Sequence, residues 1–113
     1  MADSCIFCRI ARGEIPAQMV THHKEMVAFR DLNPQAPVHI LIVPTKHISS
    51  LDDATDFDLV GRMMALAAAI ARQEKISKTG YRTVINTGKN GGQSVDHLHI
   101  HLLGGREMSW PPG

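Results

Sequence analysis

Residues 97 to 101 read His97-Leu98-His99-Ile100-His101, with Leu102-Leu103-Gly104-Gly105 behind them. Imidazoles and aliphatic side chains alternate here with a period of two. In an extended strand, side chains two residues apart leave the same face, about 6.6 Å apart along the chain. His97, His99 and His101 are therefore expected on one face, with Leu98, Ile100 and Leu102 turned into a core. A helix would scatter the three rings through about 200° of arc, so the aliphatic filling and the closing glycines favour the strand. Three imidazoles on one face can ligate a metal, or act as nucleophile and proton carriers near neutral pH. The duller reading is a solvated strand with a His-rich outside, but such faces normally carry mixed polar residues.

The turn Lys89-Asn90-Gly91-Gly92-Gln93-Ser94 leads into this stretch. Glycine lets a backbone approach an anion closely, and successive N–H groups can form a concavity for phosphate oxygens. Gln93 and Ser94 add side-chain donors. Gly-Gly in a hairpin is ordinarily only a turn; its place beside three histidines gives it a functional reading. Asn86 either faces His99 across a strand pair or closes its own turn. His39 is either a satisfied strand-start residue or part of the face that carries the triad. No dense carboxylate cluster accompanies them, which argues against magnesium-type catalysis. Phosphate chemistry would then use a protein nucleophile. An imidazole nitrogen attacks phosphorus, a neighbouring imidazole or hydroxyl protonates the leaving group, and amide donors hold the equatorial oxygens.

The elements that must position these groups follow from hydrophobic spacing. A short helix is expected over about Ile6 to Arg12, capped by Ser4 and stopped by Gly13. Met19 to Thr21 and Met26 to Arg30 read as a hairpin, and Asp31 to Pro37 as a loop broken by two prolines. His39 to Val43 is a largely apolar, central strand ended by Pro44. Val60, Met63, Met64, Ala67, Ile70 and Ala71 mark one long helix over about Thr55 to Ile76, closed by Thr79-Gly80. Tyr81 to Asn86 is a strand antiparallel to the histidine strand. The expectation is a single α+β domain over 1–113: an antiparallel sheet of about five strands, one long helix and a short N-terminal one.

At 113 residues and formal charge +1, the chain suits one modest core and lacks a broad electrostatic footprint for nucleic acid or an anionic membrane. A small phosphorylated ligand needs only local donors. No apolar run approaches a membrane span and no signal-peptide pattern opens the chain, so a cytoplasmic protein is expected. The two cysteines, Cys5 and Cys8, then read as reduced thiols or metal ligands rather than a structural disulfide.

Taken together, the triad, Asp31-Leu32-Asn33-Pro34-Gln35-Ala36-Pro37-Val38-His39, Gly91-Gly92-Gln93-Ser94 and the stretch from Gly104-Gly105-Arg106 to Trp110-Pro111-Pro112-Gly113 resemble the Hint branch of the histidine triad (HIT) superfamily. The likeness covers nearly the whole chain. It implies a homodimer with the protomers' sheets joined, binding purine nucleotides such as AMP and GMP. It also implies hydrolysis of adenosine 5'-phosphoramidates to AMP and an amine, with no catalytic cofactor. By that likeness His99 matches the nucleophile that becomes adenylylated, His101 the residue that contacts phosphate and orders the nucleophile, and Ser94 the hydroxyl near the leaving amine. His39 would support His99 from behind. Asp31 matches the ribose acceptor, with Phe7, Phe29, Leu32 and Leu41 around the base. Asn86, Gly92, Gln93 and Ser94 match phosphate and ribose contacts, and Trp110 would reach toward the neighbouring subunit's site. Two rival readings are a dinucleoside polyphosphate hydrolase using the same nucleophile on a P–O bond, and a nucleotide-binding scaffold whose hydrolysis is incidental.

Cys5 and Cys8 depart from many Hint proteins. Some bacterial relatives bind structural zinc through such a pair, a histidine after the Pro-x-x-His stretch and the first triad histidine. Those match Cys5, Cys8, His47 and His97 here, two sulfurs and two nitrogens suited to tetrahedral zinc. The bland alternative is two small cysteines packed on one helix face, since residues three apart are neighbours there.

Overall fold

The most apolar stretch of the chain becomes the middle of a sheet. In the computed structural model, which describes residues 4–113, that strand is β3 (Val38–Pro44). It pairs antiparallel with β2 (Met26–Arg30) on one side and β5 (Ile100–Gly104) on the other. β1 (Met19–His22) lies outside β2, and β4 (Tyr81–Val84) outside β5, giving the order β1-β2-β3-β5-β4. Burial on both faces explains why β3 reads as a continuous apolar run rather than an alternating one.

The two faces have different covers. Ala28, Ile40, Ile42, Leu98, Ile100 and Leu102 meet the long helix α2 (Phe57–Gln73), which turns Leu59, Met63, Ala67 and Ile70 toward them. Val27, Phe29, Leu41 and Val43 meet the short helix α1 (Ile6–Ala11) through Phe7, Ile10 and Ala11. Directly paired residues share a face, so Phe29, Leu41 and His101 form one row across β2, β3 and β5 on the α1 side. The triad face is thus roofed by α1. Each buried Ile or Leu of this kind contributes about 2 kcal/mol relative to exposure.

Both helices have identifiable ends. Cys5, not Ser4, is the N-cap of α1, its Sγ accepting from the Cys8 N–H at 3.4 Å. Gly13, at φ 77°, turns the chain out as expected. Asp56 caps α2 by accepting from the Leu59 N–H at 3.1 Å. The C-terminus of α2 comes earlier than the apolar spacing suggests. Helical geometry stops at Gln73, and Lys75 takes the left-handed conformation at φ 62°. The Ile76 N–H bonds back to the Ala71 carbonyl, and the Ile76 side chain enters the core. A lysine takes the place glycine usually holds because the chain must turn there to dock Ile76.

Two strands are shorter than expected. β4 ends at Val84 rather than Asn86, and β5 begins at Ile100 rather than at His97. The chain bends at residues 95–97, residues 98 and 99 lie outside the ladder, and the Leu98 N–H goes to the Ile48 carbonyl at 2.7 Å instead of a neighbouring strand. The alternation of faces survives this: Leu98 stays in the α2 core while the three rings lie opposite.

Candidate functional site

Under the roof of α1 lies a cavity of about 250 Å³. Phe7 and Phe29 meet edge to face in its wall with ring centroids 5.6 Å apart, and Leu41 joins them. Asp31, Leu32 and Ser94 also line the cavity, with Leu32 89% exposed and Ser94 exposed. His99 and His101 close one end, their centroids 4.9 Å apart. Eight of the expected residues therefore converge: Phe7, Phe29, Asp31, Leu32, Leu41, Ser94, His99 and His101. Ile6, Ile10, Ile15, Pro16 and Ala17 also line the cavity, and no sequence signal beyond apolarity marked them.

The hydrogen bonds fix which ring nitrogen carries hydrogen. A carbonyl can only accept, so the His99 Nδ1, 2.7 Å from the His97 carbonyl, is the donor. Its Nε2 is left with a lone pair. The Gln35 N–H donates to His39 Nδ1 at 3.0 Å, which puts the hydrogen of neutral His39 on Nε2. That Nε2–H, 3.4 Å from an Asp31 carboxylate oxygen, donates to His101 Nδ1 at 2.9 Å. His101 must then carry its own hydrogen on Nε2. The site thus pairs one imidazole nitrogen able to attack with one N–H able to hold an oxygen anion.

His39 stands behind His101, its Nε2 bonded to that ring, where the family resemblance implies a place behind His99. The main-chain loop after β2 sets this arrangement, because Gln35 reaches His39 only through the turn closed by the Asn33 N–H on Asp31 Oδ1 at 2.8 Å. Asn86, Gly92 and Gln93 lie outside the cavity lining. Asn86 donates from Nδ2 to the Gly91 carbonyl at 2.7 Å and closes the glycine turn. The Gln93 carboxamide accepts from the Gly88 N–H and donates to the carbonyls of Ser49 and Val95, so its polar atoms strap the loop. Gly92, at φ 78°, supplies the left-handed residue that this turn needs.

The first triad histidine belongs to another constellation. His97 is fully buried, and its Nε2 donates to the Pro44 carbonyl at 2.8 Å, leaving Nδ1 as a lone pair. That Nδ1 lies 3.2 Å from Cys5 Sγ and 3.5 Å from Cys8 Sγ, while His47 Nδ1 lies 3.3 Å from Cys8 Sγ. All four atoms fall within 4.8 Å of one another. A tetrahedral ion with bonds of about 2.3 Å to sulfur and 2.0 Å to nitrogen sets its sulfur and nitrogen ligands about 3.5 Å apart. The donor set therefore fits a structural zinc, and the Pro44 carbonyl holds the tautomer such a ligand requires. Asp31, His39 and His101 also gather their atoms closely, but the facing nitrogens there share a proton.

Burial favours the neutral form of His39, His97 and His101. It pushes His101 down to about 4, helped by His99 and His39 and opposed by the Asp31 carboxylate. His97 is lowered to about 4, first by burial, with the Pro44 carbonyl opposing. His39 is lowered by burial against the pull of Asp31. The unfolded chain takes up these protons near pH 6.5, whereas the folded one refuses them until about pH 4. Stability is complete above pH 6.5 and drains as pH falls through that window, by up to about 3 kcal/mol per ring. Urea unfolding midpoints measured from pH 7 to pH 4 should fall accordingly, and a His101→Asn protein should give a visibly shallower slope. Equal slopes would assign the loss to other groups.

Comparison with known proteins agrees with this geometry. Residues 12–108 match the family model described as HIT domain. The chain is 48% identical over 110 residues to the purine nucleoside phosphoramidase of Escherichia coli K12, covering 96% of this chain and 92% of that protein. A HIT family hydrolase from Legionella pneumophila superposes with a TM-score of 0.94 at 51% identity, covering 97% of this chain and all of the other. A zinc-bound histidine triad family protein from Mycobacterium smegmatis superposes at 0.84 with 30% identity, over 94% and 78% of the two chains. With a triad placed on the α1 side of an antiparallel sheet and a family match over most of its length, the chain belongs to the HIT domain family.

Proposed function

We propose that this protein is a purine nucleotide hydrolase that cleaves the P–N bond of adenosine 5'-phosphoramidates through a nucleotidyl-His99 intermediate. The observation that carries the reading is the tautomer chain: a free His99 Nε2 beside a His101 Nε2–H, at the end of an apolar cavity with Asp31 at its wall. Phe7, Phe29 and Leu41 hold the purine, Leu32 covers it from the rim, and Asp31 accepts from the ribose hydroxyls. His99 Nε2 attacks phosphorus and the P–N bond breaks. Positive charge on the ring is stabilised through Nδ1–H on the His97 carbonyl. Neutral at pH 7, His101 serves as donor to a phosphoryl oxygen rather than as an acid. The departing nitrogen takes a solvent proton relayed by the exposed Ser94 hydroxyl. Water then attacks the phosphorus, the Nε2–P bond breaks with its electron pair returning to the ring, and the water's proton passes to solvent, releasing AMP and regenerating His99. His39 acts through His101. Asn86, Gly92 and Gln93 act by shaping the loop that presents Ser94 and its amides.

Structural zinc on Cys5, Cys8, His47 and His97 would keep α1 over the nucleotide and supplies no catalytic step. Its support is the donor geometry together with the zinc-bound relative. We also infer a homodimer with joined sheets. β4 is an outermost strand, and among the described residues its outer edge pairs with no other strand. α2 presents Phe57, Gly61, Met64 and Ala65 to solvent. The Arg82 guanidinium donates to the Ser109 carbonyl at 2.9 Å, setting the tail with its exposed Trp110 beside β4, where a partner's site would meet it.

Adenosine phosphoramidates and diadenosine polyphosphates given side by side should show turnover on the former. His99→Ala should lower kcat at least about 1,000-fold with AMP binding retained, and mass spectrometry of quenched wild type should find AMP on His99. Activity confined to P–O substrates would overturn the choice of bond, and turnover surviving in the variant would remove His99 from its role. Metal analysis of purified protein should give one zinc per chain, and Cys8→Ser should retain far less; metal-free protein of undiminished thermal stability would exclude a structural ion. Light scattering should return twice the chain mass, with Ala65→Arg shifting it to the monomer; a monomeric wild type would refute the joined sheet.

A further inference from the structure

The two sulfurs of the metal-fitting cluster have unlike surroundings. Cys5 is half-buried and lines a polar groove of about 510 Å³ with His47, Ser49, Ser94 and Asp96, whereas Cys8 is 3% exposed behind it. The Sγ atoms lie within 4.8 Å of each other and belong to residues three apart. Beside the apolar packing of Phe7, Ile10 and Ala11, they tie the start of α1 to distant loops: Cys5 Sγ to His97 Nδ1, and Cys8 Sγ to His47 Nδ1. Between them sits Phe7, whose ring stands edge to face against His99 at 5.1 Å and against His97 at 5.9 Å. His97 joins the two sites, its ring facing the sulfurs and its carbonyl holding the His99 proton.

We propose that Cys5 and Cys8 form a reversible dithiol–disulfide couple, responsive to hydrogen peroxide, whose closure detaches α1 from His97 and His47 and weakens nucleotide binding in the adjoining cavity. The consequence for binding rests on the nucleotide reading above, while the sulfur chemistry does not. The Cys5 thiolate, from the residue that borders the groove, attacks one peroxide oxygen; the O–O bond breaks, and the leaving hydroxide takes a proton to become water. Cys5 is then a sulfenic acid. The Cys8 thiolate attacks that sulfur, the S–O bond breaks, and the second hydroxide leaves as water after protonation. One S–S bond has formed, two electrons have passed from sulfur to peroxide, and two protons have been consumed. The pair would no longer offer thiolates, so a zinc held by Cys5, Cys8, His47 and His97 would be left with the two imidazoles alone and would be held far more weakly. Thiol exchange reverses the step. The residue bordering the groove as attacker and the buried one as resolver give the order of events.

The test treats the zinc-loaded full chain with peroxide, then with a thiol reductant plus zinc. Expected are loss of two hydrogens on the peptide holding residues 5–8, release of one zinc per chain to a chromogenic chelator, and faster amide exchange across residues 6–11. The AMP dissociation constant should rise about tenfold, and every change should revert. Cys8→Ser should show no further change in AMP affinity on peroxide; should that variant fail to fold, reversal in the wild type decides instead. Oxidation of Cys5 to sulfinic acid without a disulfide, or a disulfide that leaves α1 exchange and AMP affinity unchanged, would overturn the proposal. Failure of AMP to bind the reduced protein would refute the nucleotide reading alone. The couple would then be judged on mass, zinc release and exchange.

Discussion

A single N–H···O=C bond, 2.7 Å from His99 to the carbonyl of His97, decides what the central ring of this site can do. Reverse that tautomer and the lone pair turns onto the backbone carbonyl instead of away from it. The bond is local, between residues two apart, yet its acceptor is positioned from far away. His97 is held by the Pro44 carbonyl at the end of β3 and flanked by sulfurs near the start of the chain. The orientation of the His99 lone pair is therefore a property of the packed domain rather than of the triad segment alone.

The sheet separates two duties by face. Aliphatic packing against α2 forms the larger of the two apolar clusters. The opposite face carries the rings, with Phe7, Phe29 and Leu41 excluding water around them. Dry surroundings are what hold His39, His97 and His101 neutral, and neutrality is what lets each ring be donor on one nitrogen and acceptor on the other. Desolvation thus helps convert a row of like groups into a directional chain of hydrogen bonds.

Period-two spacing made the division between Leu98, Ile100, Leu102 and the three histidines legible; an unbroken apolar run marked the central strand, and 3.6-residue spacing marked the buried stripe of α2. What escaped the spacing depends on partners distant in the chain. Nothing near residue 97 announces that the approach to β5 is bent, because the Leu98 N–H is claimed by Ile48. Nothing near residue 93 shows that Gln93 will spend its carboxamide on Ser49, forty-four positions away. Likewise His39 supports His101 rather than His99, since strand register places His39 opposite Leu103 and the Gln35 turn rotates the ring. The resemblance supplied a list of residues; the hydrogen bonds separate those that line the cavity from those that build its loop.

Gly104 lies inside β5, and a Cβ there would stand 2.5 Å from Ile76 Cδ1 and 3.1 Å from its Cβ. The helix end that Lys75 bends inward therefore works as a key, and the missing side chain is its slot. Slide β5 by one rung and either Leu103 jams against the isoleucine, or Gly105 arrives with the ribbon turned over. Vacant space at residue 104 thereby indexes the strand, so that His101 arrives between Leu41 on one side and Val84 on the other.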